Sequence, residues 1–265
     1  LYRERRDSRA RPVLFLSLLA ALSIPFFVLG AVTGGLSIGA MRLPSSAVMF
    51  VLPVAVAAAL TWRHGGRAAT AGLLRRAVDR PAARPRWYVV ATLLIPAIAV
   101  LSYLPLRWSG QVGAALPLSP TAAPAVLVMY LLAATCEELG WTAYATDPLQ
   151  RRFGPAATGI GLGTYWALWH LIPLLQAGHP AQWIAGWFLG TVAARVLIVW
   201  LHNKTGHGVS AAILLHAMLN VTEAYTPDLD KPITMITTGI LTTAVAVAVI
   251  ARQRTNRRDS AQLPH

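Results

Sequence analysis

Long apolar stretches alternate with short polar connections along the chain, and the stretches set its architecture. Eight of them, at residues 13–34, 46–62, 87–106, 121–145, 156–177, 181–201, 209–225 and 233–251, are mostly apolar. Each approaches the ~20 residues that a membrane-spanning helix needs. Prolines interrupt several (Pro25, Pro53, Pro96), which membrane helices tolerate because neighbouring groups satisfy the freed backbone. The second stretch is short and flanked by Ser and Pro, the least regular of the set. No repeat period and no low-complexity tract breaks the series. The pattern predicts an all-α fold, a polytopic membrane helical bundle of about eight transmembrane helices. It forms one membrane domain over 13–251 between basic tails at 1–12 and 252–265.

Composition narrows the class. Of 265 residues, 55% are hydrophobic and 12% charged, about half the ~25% charged share of an average soluble domain. A water-soluble globule is excluded, and so is disorder, which requires low hydrophobicity. A net charge of +13 in a soluble protein would point to nucleic acid. Here the arginines lie between apolar runs, so the partner is the lipid bilayer and no nucleic acid is expected. The single Cys136 rules out a disulfide framework and a cysteine-built metal site.

Charge then orients the bundle. With eight helices both chain ends fall on one side. Arg3, Arg5, Arg6, Arg9 and Arg11 precede the first helix, and seven arginines from Arg63 to Arg86 fill the second connection. Arg151 and Arg152, Lys204, and Arg252, Arg254, Arg257 and Arg258 follow on the same side, nineteen basic residues in all. The other side holds three, Arg42, Arg107 and Lys231, and Arg195 lies inside a span. Cytoplasmic loops carry the Lys/Arg excess, so both termini are expected in the cytoplasm.

An ionisable residue at membrane depth is costly and is a functional candidate by default. The spans contain Glu137 and Glu138 in the fourth, His170 in the fifth, Arg195 in the sixth, and His216, Asn220 and Glu223 in the seventh. Glu223 lies near the outer end, within reach of water. At ~1.5 Å per residue, Glu137 stands about 12 Å from the cytoplasmic edge, His170 about 21 Å, His216 about 10 Å and Asn220 about 16 Å. Two carboxylates, two imidazoles and an amide thus share one slab below or near the midplane. His216 and Asn220, four apart, share a helix face. Four readings fit such a pocket. The groups can be interhelical hydrogen bonds of ~0.6 kcal/mol each, or a proton or cation pathway. They can instead activate water and stabilise an oxyanion, or hold zinc through Glu137, His170 and His216 with one open position.

Three short motifs carry a resemblance. Glu137-Glu138-Leu139-Gly140-Trp141-Thr142 matches E-E-x-x-x-R with the arginine replaced. Trp166-Ala167-Leu168-Trp169-His170 matches F-x-x-x-H with Trp for Phe, and His216-Ala217-Met218-Leu219-Asn220 is an intact H-x-x-x-N. In order, on three predicted spans, they resemble the CAAX-protease and bacteriocin-processing family of intramembrane endopeptidases, which includes the type II prenyl-protein CAAX endopeptidases. The resemblance covers about half the chain, with a motif-bearing core at about 121–225. It implies an intramembrane peptidase whose site opens to the cytoplasm. Carried across, Glu137 is the general base and His170 its partner, His216 and Asn220 form the oxyanion hole, and Glu138 orients the site. The chemistry favours a glutamate mechanism without cofactor, with zinc as the alternative. A proton-coupled transporter or a non-proteolytic scaffold are the competing functions. The implied partner is a peptide or protein substrate at the membrane, and the Arg/Ala-rich chain looks like a bacterial plasma-membrane member.

Thr142 departs from the family pattern, since an arginine there would pair with Glu138 four residues earlier. Arg195 has a matching depth, about 9 Å against about 10 Å for Glu138, and itself needs a partner. The expectation is that Arg195 replaces the motif arginine from another helix. The competing reading is that it snorkels to the surface.

Overall fold

The computed structural model describes residues 10–33, 35–38, 41–43, 45–79 and 85–262. Among them the chain forms α1 (Pro12–Thr33), a short antiparallel pair β1 (Leu36–Ile38) and β2 (Met41–Leu43), and a 3-10 segment Ser45–Val51 leading into α2 (Leu52–Leu74). Then come α3 (Arg86–Trp108) and α4 (Ala123–Gly140), which continues through a π-helical segment Trp141–Thr146 into α5 (Asp147–Phe153). The remaining helices are α6 (Pro155–Gln176), α7 (Ala181–Lys204), α8 (Ser210–Tyr225) and α9 (Pro232–Gln262). With α4, the π segment and α5 counted as one rod, eight helical passages stand at the expected places. Arg3, Arg5, Arg6, Arg9, Arg80 and Arg84 of the charge count lie outside the described residues.

Three details differ from the hydropathy reading. The first connection pairs Leu36 with Leu43 and Ile38 with Met41, a backbone ladder that side-chain hydropathy does not encode. The second run extends well beyond residue 62, and it does so by breaking direction at Gly66 (φ 63°, ψ −160°), a conformation open to glycine. The last helix runs to Gln262, through much of the expected tail, because backbone hydrogen bonding does not stop where hydropathy does.

Large apolar side chains face outward, among them Val13, Val32, Leu101, Leu132 and Val247, as an integral membrane protein requires. Six described segments are long and apolar enough to cross a membrane. The two passages outside that set are α6 and α8, the helices of His170 and His216. At 16 residues, α8 spans only about 24 Å, and Ala211, Ala212, Ile213, Leu215, His216 and Ala217 are buried in it. Surrounded by other helices, such a segment has no need of a lipophilic surface.

The connections meet as alternation requires. Arg76, from the second, donates to the carbonyls of Ala143 (2.7 Å) and His207 (2.9 Å). The Asp79 carboxylate caps α8, accepting from the amides of Val209 (2.8 Å) and Ser210 (3.1 Å), an arrangement that suits the helix N-terminus. At the opposite end Asp228 accepts from the Gly113 amide (2.6 Å), and Lys231 donates to the Gln111 carbonyl (3.1 Å).

Close helix contacts rest on small residues. A Cβ on Gly163 of α6 would lie 2.9 Å from Val192 Cα and 3.0 Å from Arg195 Cβ, and one on Gly159 would lie 2.9 Å from Val196 Cα. This small-residue seam lets the α6 and α7 backbones approach and brings Arg195 inward.

Candidate active site

The site is built where α4, α6, α7 and α8 converge. The two carboxylates of α4 are consecutive and both buried, with 5% exposure at Glu137 and none at Glu138, yet they serve different neighbours.

Glu138 is saturated. Arg195 donates Nη1 to its Oε2 at 2.8 Å and Nη2 to its Oε1 at 2.9 Å. His216 Nδ1 lies 2.8 Å from Oε1, and the Thr142 hydroxyl, one turn along the same helix, donates to Oε2. A carboxylate with this many donors is held in one orientation. The expected pairing of Glu138 with Arg195 is therefore present in the geometry, and Thr142 contributes a hydroxyl where the motif has a guanidinium. Arg195 is fully buried and does not reach the surface.

Glu137 is held differently. Its Oε2 accepts from the indole N–H of Trp166 at 2.9 Å and of Trp141 at 3.2 Å. Among the described residues its Oε1 has no side-chain or backbone donor, so this oxygen is the one left for water or substrate. Directly after the two carboxylates the helix widens into the Trp141–Thr146 π segment. Such insertions recur at functional sites.

Trp166 organises the rest. Its ring lies 4.8 Å from the His216 ring and 5.8 Å from the His170 ring by centroid. The Arg195 guanidinium sits 4.4 Å over it, a cation–π contact. His170 Nδ1 is 3.0 Å from the Trp166 carbonyl. That carbonyl only accepts, so Nδ1 carries the hydrogen and Nε2 is left for chemistry. Trp169 and Trp187 enclose the same imidazole at 4.8 and 5.4 Å. Asn220, one turn beyond His216 on α8, is half-buried and makes no side-chain hydrogen bond among the described residues. Glu223, a further turn on, is half-buried.

Sequence reading did not assign Trp166 and Trp141 to the site. The signal lay in the motifs: tryptophan stands where the second motif has phenylalanine, and phenylalanine has no N–H to offer Glu137.

The fold and these residues define a class: an integral membrane helical bundle with two buried carboxylates, two imidazoles and an amide set among its helices. The family described as type II CAAX prenyl endopeptidase Rce1-like matches residues 119–222, the segment that holds every one of these groups. A CAAX prenyl protease 2 of Methanococcus maripaludis is 34% identical over 179 residues, covering 61% of this chain and 64% of that protein. Over that segment the chain is similar to the Rce1-like CAAX endopeptidases, and the match spans less than two thirds of that relative's length.

Proposed function

We propose that this protein is an intramembrane endopeptidase that hydrolyses a peptide bond with water activated by Glu137 and His170. The observation that carries this reading is the asymmetry of Glu137. Two indoles fix one carboxylate oxygen and leave the other to accept a proton from water, as a positioned general base must. His170 supplies Nε2 toward the same reaction, binding the water from a second side. His216 and Asn220 are the oxyanion donors. For His216 to donate from Nε2 while Nδ1 faces Glu138, the ring must be an imidazolium. Glu138 holds the ring in orientation through Nδ1, as the carboxylate of a triad does.

The substrate is a peptide or protein held at the membrane, in keeping with a site inside the bundle and with a relative whose name is CAAX prenyl protease 2. The site opens to the cytoplasm, where the basic excess places both termini. In a zinc form Glu137, His170 and His216 would be the ligands. The glutamate mechanism is preferred because an asparagine four residues after His216 suits an oxyanion donor better than a zinc ligand.

The test is cleavage of a membrane-peptide library by the purified protein. Glu137→Gln keeps the shape and loses the base, and turnover should fall at least ~10²-fold. Asn220→Ala should lower turnover ~10²–10³-fold while substrate still binds. Activity that is abolished by strong chelators and restored by zinc would transfer the mechanism to metal. Cleavage unchanged in both variants, with altered solute uptake, would make the protein a transporter.

A further inference from the structure

One cluster of ligand-type side chains has no part in the proposed hydrolysis. It lies at the arginine-rich end of the bundle. Asp147 opens α5, His202 is in the last turn of α7, and His207 is in the turn between α7 and α8. Their ligand atoms all lie within 4.8 Å of one another. Asp147 Oδ1 is 3.0 Å from His202 Nε2 and 2.8 Å from His207 Nδ1. The two imidazole planes stand at 89° with centroids 5.1 Å apart.

The hydrogen bonds around His202 separate this group from a chance surface cluster. His202 is fully buried. Its Nδ1 lies 3.0 Å from the Gly208 carbonyl oxygen, which can only accept, so Nδ1 holds the hydrogen. In the neutral ring Nε2 then presents a lone pair, and what it faces is a carboxylate oxygen, also an acceptor. His202 Nε2 and Asp147 Oδ1, 3.0 Å apart in a part-buried position, are two donor atoms that one shared cation satisfies. A proton would serve that single pair. The convergence of His207 on the same oxygen is better met by an ion that binds all three donors. A ring nitrogen tied to a carbonyl is also the usual outer support of a metal-bound histidine. Asp147 is braced in turn: Gln150 donates to Oδ1 at 2.8 Å, and Arg76 Nη2 lies 3.9 Å from Oδ2.

We propose that Asp147, His202 and His207 bind a divalent transition-metal ion of the zinc class, apart from the hydrolytic residues. Two imidazoles and one carboxylate are a zinc donor set with an open fourth position. Ligand atoms at bonds of ~2.1 Å in a tetrahedron stand ~3.4 Å apart, so the present spacing needs only side-chain adjustment. The His207 side chain is 47% exposed, which gives the ion an entry path. Bound there, it clamps the segment after the Glu137–Glu138 pair to the end of α7 and to the turn that leads into the His216 helix.

The experiment uses full-length protein in detergent, stripped with chelator and titrated with Zn²⁺ by calorimetry and with Co²⁺ by visible absorption. The expected result is about one equivalent bound in wild type and in Glu137→Gln, with affinity reduced at least ~10²-fold in Asp147→Asn and in His207→Asn. The second variant keeps the backbone, because His207 has φ 67° and asparagine adopts that region readily. Absence of binding, binding indifferent to both variants, or binding lost in Glu137→Gln would each overturn the proposal.

Discussion

Glu138 and Arg195 meet as two forks, with contacts of 2.8 and 2.9 Å between α4 and α7 and no exposure of either side chain. The pair ties the helix of the proposed base to a helix that carries no motif. It also fixes the carboxylate that faces His216. Replacing a buried pair by apolar groups can be neutral, whereas removing one partner strands the other charge and costs ~3–5 kcal/mol.

Arg195→Ala should therefore inactivate or strongly destabilise the protein, seen as a large drop in melting temperature in detergent. Arg195→Lys keeps the charge and loses the fork, so it should fall between. Adding Thr142→Arg to Arg195→Ala returns a guanidinium one turn from Glu138 and should recover part of the loss. A silent Arg195→Ala would show that the pair positions nothing.

Gly163→Ala tests the seam that brings Arg195 inward. A helix-interior glycine ordinarily gains ~1 kcal/mol on becoming alanine. At Gly163 the new Cβ would meet Val192 Cα at 2.9 Å and its carbonyl oxygen at 3.0 Å, backbone atoms that yield only if the helices part. The expected sign is reversed, a loss of ~1–3 kcal/mol accompanied by reduced turnover. Gly161→Ala, with nothing within 4 Å of its Cβ, is the control and should be neutral or stabilising. Equal effects at the two positions would remove the packing argument.

Asp228 gives a pH dependence outside the spans. The Gly113 amide and the Lys231 ammonium, at 2.6 and 3.0 Å, hold its carboxyl below the usual aspartate range. The unfolded chain takes up the proton at higher pH than the folded one. The contribution is thus complete above the unfolded value and disappears as pH falls through the folded value. Thermal unfolding from ~pH 6 down to ~pH 3 should show a smaller acid-side loss in Asp228→Asn than in wild type, the variant being less stable above ~pH 5 and the gap closing as pH falls. Asparagine also tolerates the local φ of 50°. An unchanged acid limb in the variant would count against the contact.

Labelling of introduced cysteines should find positions 76, 152 and 254 on the cytoplasmic side and position 107 outside. The contacts of Arg76 with Asp147 and His207 already bring the second, fourth and sixth connections to one end. Position 76 labelled from outside would reverse the orientation and the opening of the site.

The sequence by itself determined the number and order of the helical passages, because hydropathy over ~20 residues is a local property that the bilayer enforces. It also determined the identity of Glu137, Glu138, His170, His216 and Asn220 as the polar groups set into those passages, since buried charge is conspicuous against apolar neighbours. Matching depths even put Arg195 level with Glu138. Depth does not fix which face a helix turns, however, and it was the tertiary packing of α6 on α7 across Gly159 and Gly163 that joined the pair. Packing also decided that Trp166 and Trp141 hold Glu137, because an indole N–H acquires meaning only when an acceptor stands opposite. The Asp147–His202–His207 group was likewise invisible along the chain, since its members are separated by 55 and 5 positions and come together only where the ends of three segments meet.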